Sequence, residues 1–275
     1  LLFAEGLLGQ SKEESERQER QIRNIIADGK KRICAEIAEP DNPHHLPESP
    51  QIGDSWHFAG CDDKYGLKDF PGRIPGQIVE NLLHFYTEPF DLIVDPMGGS
   101  GTTKDVANAM YRRCVVSDIN PVKDGIEKNN ISAEDFLPSQ KRCDFIFLDP
   151  PYFKKKNDEY AKKDDHADGS ISSFEKDGYL KFFDDLAKKS IKALQPSGYL
   201  ALVMSNFVDE DSANNSIWIW DYVDRFNHAG FTTIREIHCD LTTQSLHPAH
   251  VTQFKEEKRM AKITRSIVVF QKGLD

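Results

Sequence analysis

The 275-residue sequence has no apolar run of about 18 residues or more, so nothing in it reads as a membrane-spanning helix. Paired cysteines are missing too. Cys34, Cys61, Cys114, Cys143 and Cys239 are odd in number, scattered and without a C-x-x-C pair. That excludes a disulfide framework and fits reduced thiols in a cytosolic protein. The opening "LLFAEGLLGQ" lacks an initiator Met, and it lacks the basic start and small-residue cleavage site of a signal peptide. It reads as the beginning of a fragment or a processed chain. Positive charge is also short: 35 Lys and Arg stand against 45 Asp and Glu, a net −10. A partner gripped by its phosphates normally meets a basic surface, so this balance counts against nucleic acid unless a local basic patch supplies the contact. No internal repeat is present. His44, His45 and His57, and likewise His247 and His250, have no further ligand at metal-binding spacing, so no metal site is expected.

What is present is enough apolar residue, 39%, for a packed core, and enough length for one large α/β domain or two small ones. Residues 11–38 begin with a Ser11/Glu14 capping box and repeat Ile22, Ile25, Ile26, Ile33 and Ile37 at helical spacing on a charged background. The pattern predicts an exposed helix with a break near Gly29 and one apolar stripe. That stripe can pack on the main domain, on a protein partner or on a missing N-terminal domain. A Pro-, Asp- and Asn-rich stretch follows and reads as linker. The expected organisation is a helical extension over 1–40, a linker over 41–69 and a main domain over 70–275.

Beyond the linker, short apolar runs alternate with amphipathic ones. Strands are predicted at 90–94, 113–118, 143–149, 198–204, 231–241 and 263–273, and helices at 73–87, 103–110, 177–194 and 217–229. The alternation predicts a mostly parallel sheet with helices on both faces. The last two strands show no obvious helix between them, so an antiparallel pair is expected at that edge.

Two loops carry chemistry. In "DLIVDPMGGSGTT", Asp95, Gly98, Gly99, Ser100 and Gly101 lie between a predicted strand and helix, where glycines let a ligand approach the backbone and the helix N-terminus. The Gly-Lys-Ser/Thr of a phosphate-binding P-loop is absent. Asp118 ends the next strand, where an acid would bind ribose hydroxyls. A dinucleotide competes for such a loop, but its pyrophosphate would lie against the Asp95 carboxylate. S-adenosylmethionine brings an ammonium, a sulfonium and a ribose with no phosphate, and fits better.

The second loop is "DFIFLDPPYF", residues 144–153. A strand cannot continue through Pro150-Pro151, so the chain turns rigidly between Asp149 and Tyr152. An amino group conjugated to a base or an amide is a poor nucleophile. Acceptors aimed at its two N–H bonds help it pyramidalise, and the Asp149 carboxylate and the Pro150 carbonyl are candidates for that task. Tyr152 can stack on a planar substrate.

Together "DPMGGSGTT", "DIN" (118–120) and "DPPYF" resemble the amino-methyltransferases that modify adenine N6 or cytosine N4 in DNA. The resemblance covers roughly residues 70–272. It implies a Rossmann-like class I methyltransferase fold, with a mostly parallel seven-stranded sheet carrying an antiparallel edge strand. It implies S-adenosylmethionine held by Asp95, Pro96, Met97, Gly98, Gly99, Gly101 and Thr102, with Asp118 on the ribose, Ile119 beside the adenine and Asp135 at the adenine amino group. "FPGRIPGQIVENLLHFYT", which contains Pro75, is similar to the family segment that helps hold the cofactor's methionine end. Catalysis falls to Asp149, Pro150, Pro151 and Tyr152, acting on a base flipped out of duplex DNA. Met97 stands where the family usually has Phe. No target-recognition domain is evident, and the lysine-bearing loop from Lys154 to Ser173 and the basic stretch 247–265 are the substitutes. Alternatives are an RNA or tRNA amino-methyltransferase, a catalytically silent scaffold of the same fold, and a methyltransferase acting on small molecules or protein glutamine.

Overall fold

In the computed structural model, the described residues are 50–139, 141–153, 171, 174–209, 213–241, 248–258, 260, 262–274 and five N-terminal positions. The chain divides into two compact units, Leu1–Glu48 and Ser49–Asp275. In the first unit Arg17, Gln21, Asn24, Asp28 and Gly29 are described, and all five are helical. Ser11, Glu14 and the isoleucine stripe lie outside the described residues, as do Lys154–Ser170.

The second unit is one eight-stranded sheet with helices on both faces. In chain order its elements are β1 (Ser55–Trp56), α1 (Gly76–Tyr86), β2 (Leu92–Asp95), α2 (Thr102–Ala109), β3 (Arg113–Asp118), β4 (Glu127–Lys128), β5 (Cys143–Leu148), α3 (Lys176–Ala193), β6 (Leu194–Met204), α4 (Ile219–His228), β7 (Phe231–Asp240), α5 (Pro248–Glu256) and β8 (Thr264–Lys272). The spatial order is β1-β7-β8-β6-β5-β2-β3-β4. All pairings are parallel except those of β8, which runs antiparallel to both β6 and β7. The expected antiparallel pair is therefore present. Three elements add to the expectation: α5 separates the last two strands, and the two-residue strands β1 and β4 extend the sheet at its two edges, giving eight strands among the described residues where seven were expected.

Strand periodicity builds the two faces. Phe145 and Phe147 of β5 point to one layer with Ala201 and Val203 of β6 and Ile267 and Val269 of β8, under Ile78, Val79, Leu82 and Leu83 of α1 and Val106 and Ala107 of α2. Ile146 and Leu148 point to the other, with Leu200, Leu202, Val268 and Phe270, beneath Tyr179 and Phe183 of α3 and Tyr222 and Phe226 of α4. Residues 145–148 are at most 1% exposed. Each side chain so buried contributes about 1.5–3 kcal/mol, which accounts for the near-continuous apolar run of a central parallel strand. The register shift between Cys143 and Phe145 breaks the parity there, and the Asp144 carboxylate accepts the Leu92 amide at 2.6 Å.

Residues 50–69, read from composition as linker, are folded into this unit. Trp56 is 1% exposed, and its indole N–H donates to the carbonyls of Gln51 and Gly53. Tyr65 is buried, with its hydroxyl 2.5 Å from the Glu80 carboxylate of α1. Pro and Asp supply the turns of a strap anchored by two aromatic rings, a pattern with no periodicity for a sequence reading to detect.

From β2 the chain proceeds to β3 and β4 on one side, then crosses back to β5 on the other. The point between β2 and β5 is the topological switch, where α/β sheets open a crevice at their carboxyl ends.

Candidate active site

Asp95 ends β2 and Asp149 follows the end of β5, so the two sequence motifs meet at this switch point. Asp95 is 2% exposed, and its carboxylate accepts the Met97 amide at 3.0 Å. Burial pushes it up to about 7, against hydrogen bonds from the Thr103 side chain and the Met97 backbone, and the nearby Asp118 and Asp149 carboxylates push in the same direction as burial.

The glycine loop is shaped by β3. Gly98 donates its amide to the Ser117 carbonyl at 2.8 Å, and Gly101 donates to Gly98 at 2.8 Å. Asp118 accepts the Gly99 amide on one oxygen at 2.9 Å and the Asn120 amide on the other at 2.8 Å. Each oxygen keeps a second lone pair that a ribose hydroxyl can use. Gly99 and Gly101 have φ of 45° and 81°, conformations that favour glycine. Gly101 caps α2, whose first residue Thr102 is buried and bonded to Ser100 through their hydroxyls. Ile119, just beyond Asp118, is 39% exposed. Met97 and Tyr152 are half-buried against the same core cluster.

Residues 60–75 pass over this loop. Leu67 donates to the Ser100 carbonyl at 3.0 Å, and a Cβ on Gly99 would meet the Phe70 ring at 3.2 Å. Pro75 closes the strap and starts α1. The catalytic turn is braced from α3. Tyr179 donates its hydroxyl to the Pro151 carbonyl at 2.9 Å, and Phe153, 2% exposed, packs its ring 5.0 Å from both Tyr179 and Phe207. Burial holds the Tyr179 phenol well above its ordinary range, so it remains a donor.

The structure thus brings the loop of Asp95, Pro96, Met97, Gly98, Gly99, Gly101 and Thr102, with Asp118 and Ile119, to the same end of the sheet as Asp149, Pro150, Pro151 and Tyr152, while Pro75 is placed at the start of α1. It does not bring Asp135 to that end. That carboxylate is exposed and 2.7 Å from Lys192, in the last turn of α3 just before β6 begins, at the end of the sheet opposite the crevice. The salt bridge lowers its pKa. Sequence reasoning missed Tyr179, Phe70 and Gly66. A tyrosine on the apolar face of α3 needs a polar partner when buried, and that was the available signal for Tyr179.

Three carboxylates around one crevice, one of them raised to about 7, form a set that suits a cation. The fold is Rossmann-like, with the strand order and switch-point crevice of the class I methyltransferase fold, and the two motif loops converge there. Residues 8–126 match the family model of N6/N4 DNA methylases, described as DNA methylase. A 79-residue stretch is 34% identical to the type II methyltransferase M.PvuII of Proteus hauseri, covering 29% of this chain and 23% of that relative. Both findings bear out the resemblance to the DNA amino-methyltransferases, a family whose cofactor is S-adenosylmethionine, and the cleft residues fit that cofactor. The family match takes in the glycine loop and Asp118 and ends before the Asp149 turn. The curated match spans less than a quarter of that relative's length. Among solved structures, TrmN from Thermus thermophilus is 14% identical with a TM-score of 0.45, over 74% of this chain and 50% of that one. The N-methyltransferase NodS from Bradyrhizobium japonicum WM9, solved with S-adenosyl-L-homocysteine, is 14% identical with a TM-score of 0.44, over 75% and 90%.

Proposed function

We propose that this protein transfers the methyl group of S-adenosylmethionine to the exocyclic amino group of a DNA base, adenine N6 or cytosine N4. The observation that carries this reading is the Asp149-Pro150-Pro151-Tyr152 turn, held at the switch point beside Asp95 and braced by Tyr179. When bound, the cofactor supplies an electrophilic methyl group on sulfur. Asp95, Gly98, Gly99 and Asp118 line its place, and Asp118 takes the ribose hydroxyls. Ile119 and Met97 give the adenine apolar walls.

The hydroxyl of Tyr179 takes one lone pair of the Pro151 carbonyl and fixes the turn, and the acceptor task falls to the Asp149 carboxylate and the Pro150 carbonyl. Two acceptors on the amino group's N–H bonds free its lone pair from conjugation and aim it at the methyl carbon. Asp149 also takes the proton released as the N–C bond forms. Tyr152 stacks on the base. A paired base hides its amino group, so a duplex substrate is flipped out to reach this turn.

The experiment is methyl transfer to unmethylated duplex DNA, with tRNA in parallel, read by nucleoside mass spectrometry. N6-methyladenine or N4-methylcytosine in the DNA is the expected product. Methyl groups in the tRNA alone would move the substrate to RNA, and none in either polymer would sink the reading.

A further inference from the structure

We infer that Asp105 is a positioning residue that ties together the two walls of the cleft read above as the cofactor site. One wall is the strap at Gly66. The other is the loop 119–126, which begins immediately after Asp118 and carries Ile119. The inference rests on that reading of the cleft, which does not itself assign Asp105 any part.

One oxygen of Asp105, in the first turn of α2, receives both walls. The Gly66 amide donates to Oδ2 at 2.7 Å, and the Lys123 ammonium lies 2.5 Å from the same atom. The Asp105 and Lys123 side chains are 23% and 24% exposed, so the pair is shielded from much of the screening that weakens surface ion pairs. Both walls press on the glycine loop where they are tied. Gly66 has φ +70°, and a Cβ there would meet Thr102 Oγ1 at 2.4 Å and Ser100 Oγ at 2.7 Å. The stem of Lys123 covers Gly101, where a Cβ would come 2.7 Å from its Cδ. A second tether runs from Lys104 to the Asp124 carbonyl at 2.5 Å, so α2 holds the 119–126 loop at two points but reaches the Gly66 amide through Asp105.

An acidic residue in the first helical turn needs no such contacts to be favourable, since the helix dipole alone rewards it. The dipole does not account for two donors from distant segments converging on one oxygen. Their joint effect is to fix the strap, and with it Phe70 against Gly99, in register with the loop that positions Ile119. Cleft preorganisation is then stored in Asp105, at a distance from the ligand.

The test is calorimetric binding of S-adenosylhomocysteine to the wild type, Asp105→Ala, Asp105→Asn and Lys123→Ala, with hydrogen exchange on the free proteins. Asp105→Ala is expected to weaken binding about tenfold, the scale of one charge-assisted contact. Asn keeps an acceptor for Gly66 but loses the charge for Lys123, and falls in between, close to Lys123→Ala. In the kinetics the loss falls on the cofactor KM rather than on kcat. Exchange quickens at residues 66–70 and at 119–126 together in Asp105→Ala, and only at 119–126 in Lys123→Ala. Unchanged binding in Asp105→Ala, or loosening of one wall alone, overturns the inference. If the wild type binds no S-adenosylhomocysteine, the cofactor reading fails. The exchange of the two walls then still decides whether Asp105 ties them.

Discussion

Tyr179 of α3 donates its hydroxyl to the carbonyl of Pro151, 28 residues earlier and 2.9 Å away, and so fixes the direction of the turn that follows β5. Pro-Pro rigidity sets the local shape of that turn, while the phenol sets its orientation on the domain. Tyr179→Phe leaves the Pro151 carbonyl short of a partner at a cost of about 1–3 kcal/mol. The expected result is a lower melting temperature and a methyl-transfer kcat reduced by roughly tenfold, with S-adenosylhomocysteine affinity within about twofold of wild type. An unaltered kcat would show that the turn needs no brace.

Asp149→Ala removes one of the two acceptors proposed for the amino group and leaves the glycine loop intact. Methyl transfer should fall by a factor on the order of a thousand or more, while cofactor binding stays nearly intact. Equal loss of both, measured by single-turnover kinetics and calorimetry, would place Asp149 in the cofactor site instead.

Asp118 has a double task, because its oxygens hold the Gly99 and Asn120 amides as well as facing the cleft. Asp118→Ala should weaken cofactor binding by roughly a hundredfold, two charge-assisted contacts' worth. An affinity unchanged in equilibrium dialysis would contradict the ribose contact.

In the proposed site, Asp95 is expected to couple cofactor binding to pH. Its carboxyl is raised from 3.8 to about 7 in the folded protein, so folding favours the protonated form between those values. Stability from this group is present below the unfolded pKa and is lost as pH rises toward 7, a cost of a few kcal/mol above it. A cationic ligand favours the ionised form, so S-adenosylmethionine affinity should rise with pH up to about 7 and then level off. Asp95→Asn should melt roughly 5 °C or more higher at pH 8 and bind the cofactor more weakly with a flat pH profile. A wild-type profile in the variant would assign the titration to another group.

The central strands were legible because burial on both faces leaves an apolar run that few other structures produce. Residues 113–118 and 143–148 formed strands where the sequence placed them. The positions of Asp95, Asp118 and Asp149 at the carboxyl ends of strands were legible for the same reason, since each stands at the end of such a run. The two-residue strands β1 and β4 were not, because their pairing is dictated by β7 and β3 and not by any pattern of their own. Strand β6 begins at Leu194, four residues earlier than expected, since the backbone passes Pro196 and turns at Ser197 with φ 62° without leaving the strand. α5 was hidden by its weak apolar face. Asp135 shows the reverse error: its sequence position fits a cofactor contact, but Lys192, distant in sequence, claims the carboxylate.

β8 enters the sheet between β6 and β7, which are already complete when it leaves the ribosome. Until then, among the described strands, β7 can pair only with the two residues of β1, and β6 presents an edge left open along the apolar run Tyr199–Met204. Nascent chains therefore pass through a stage with two strands that each have one open edge, the kind of edge on which other chains add. A chain stopped before Thr264 should collect as an aggregate rather than as a smaller domain, and chaperone demand during synthesis should peak over the interval between β7 and β8.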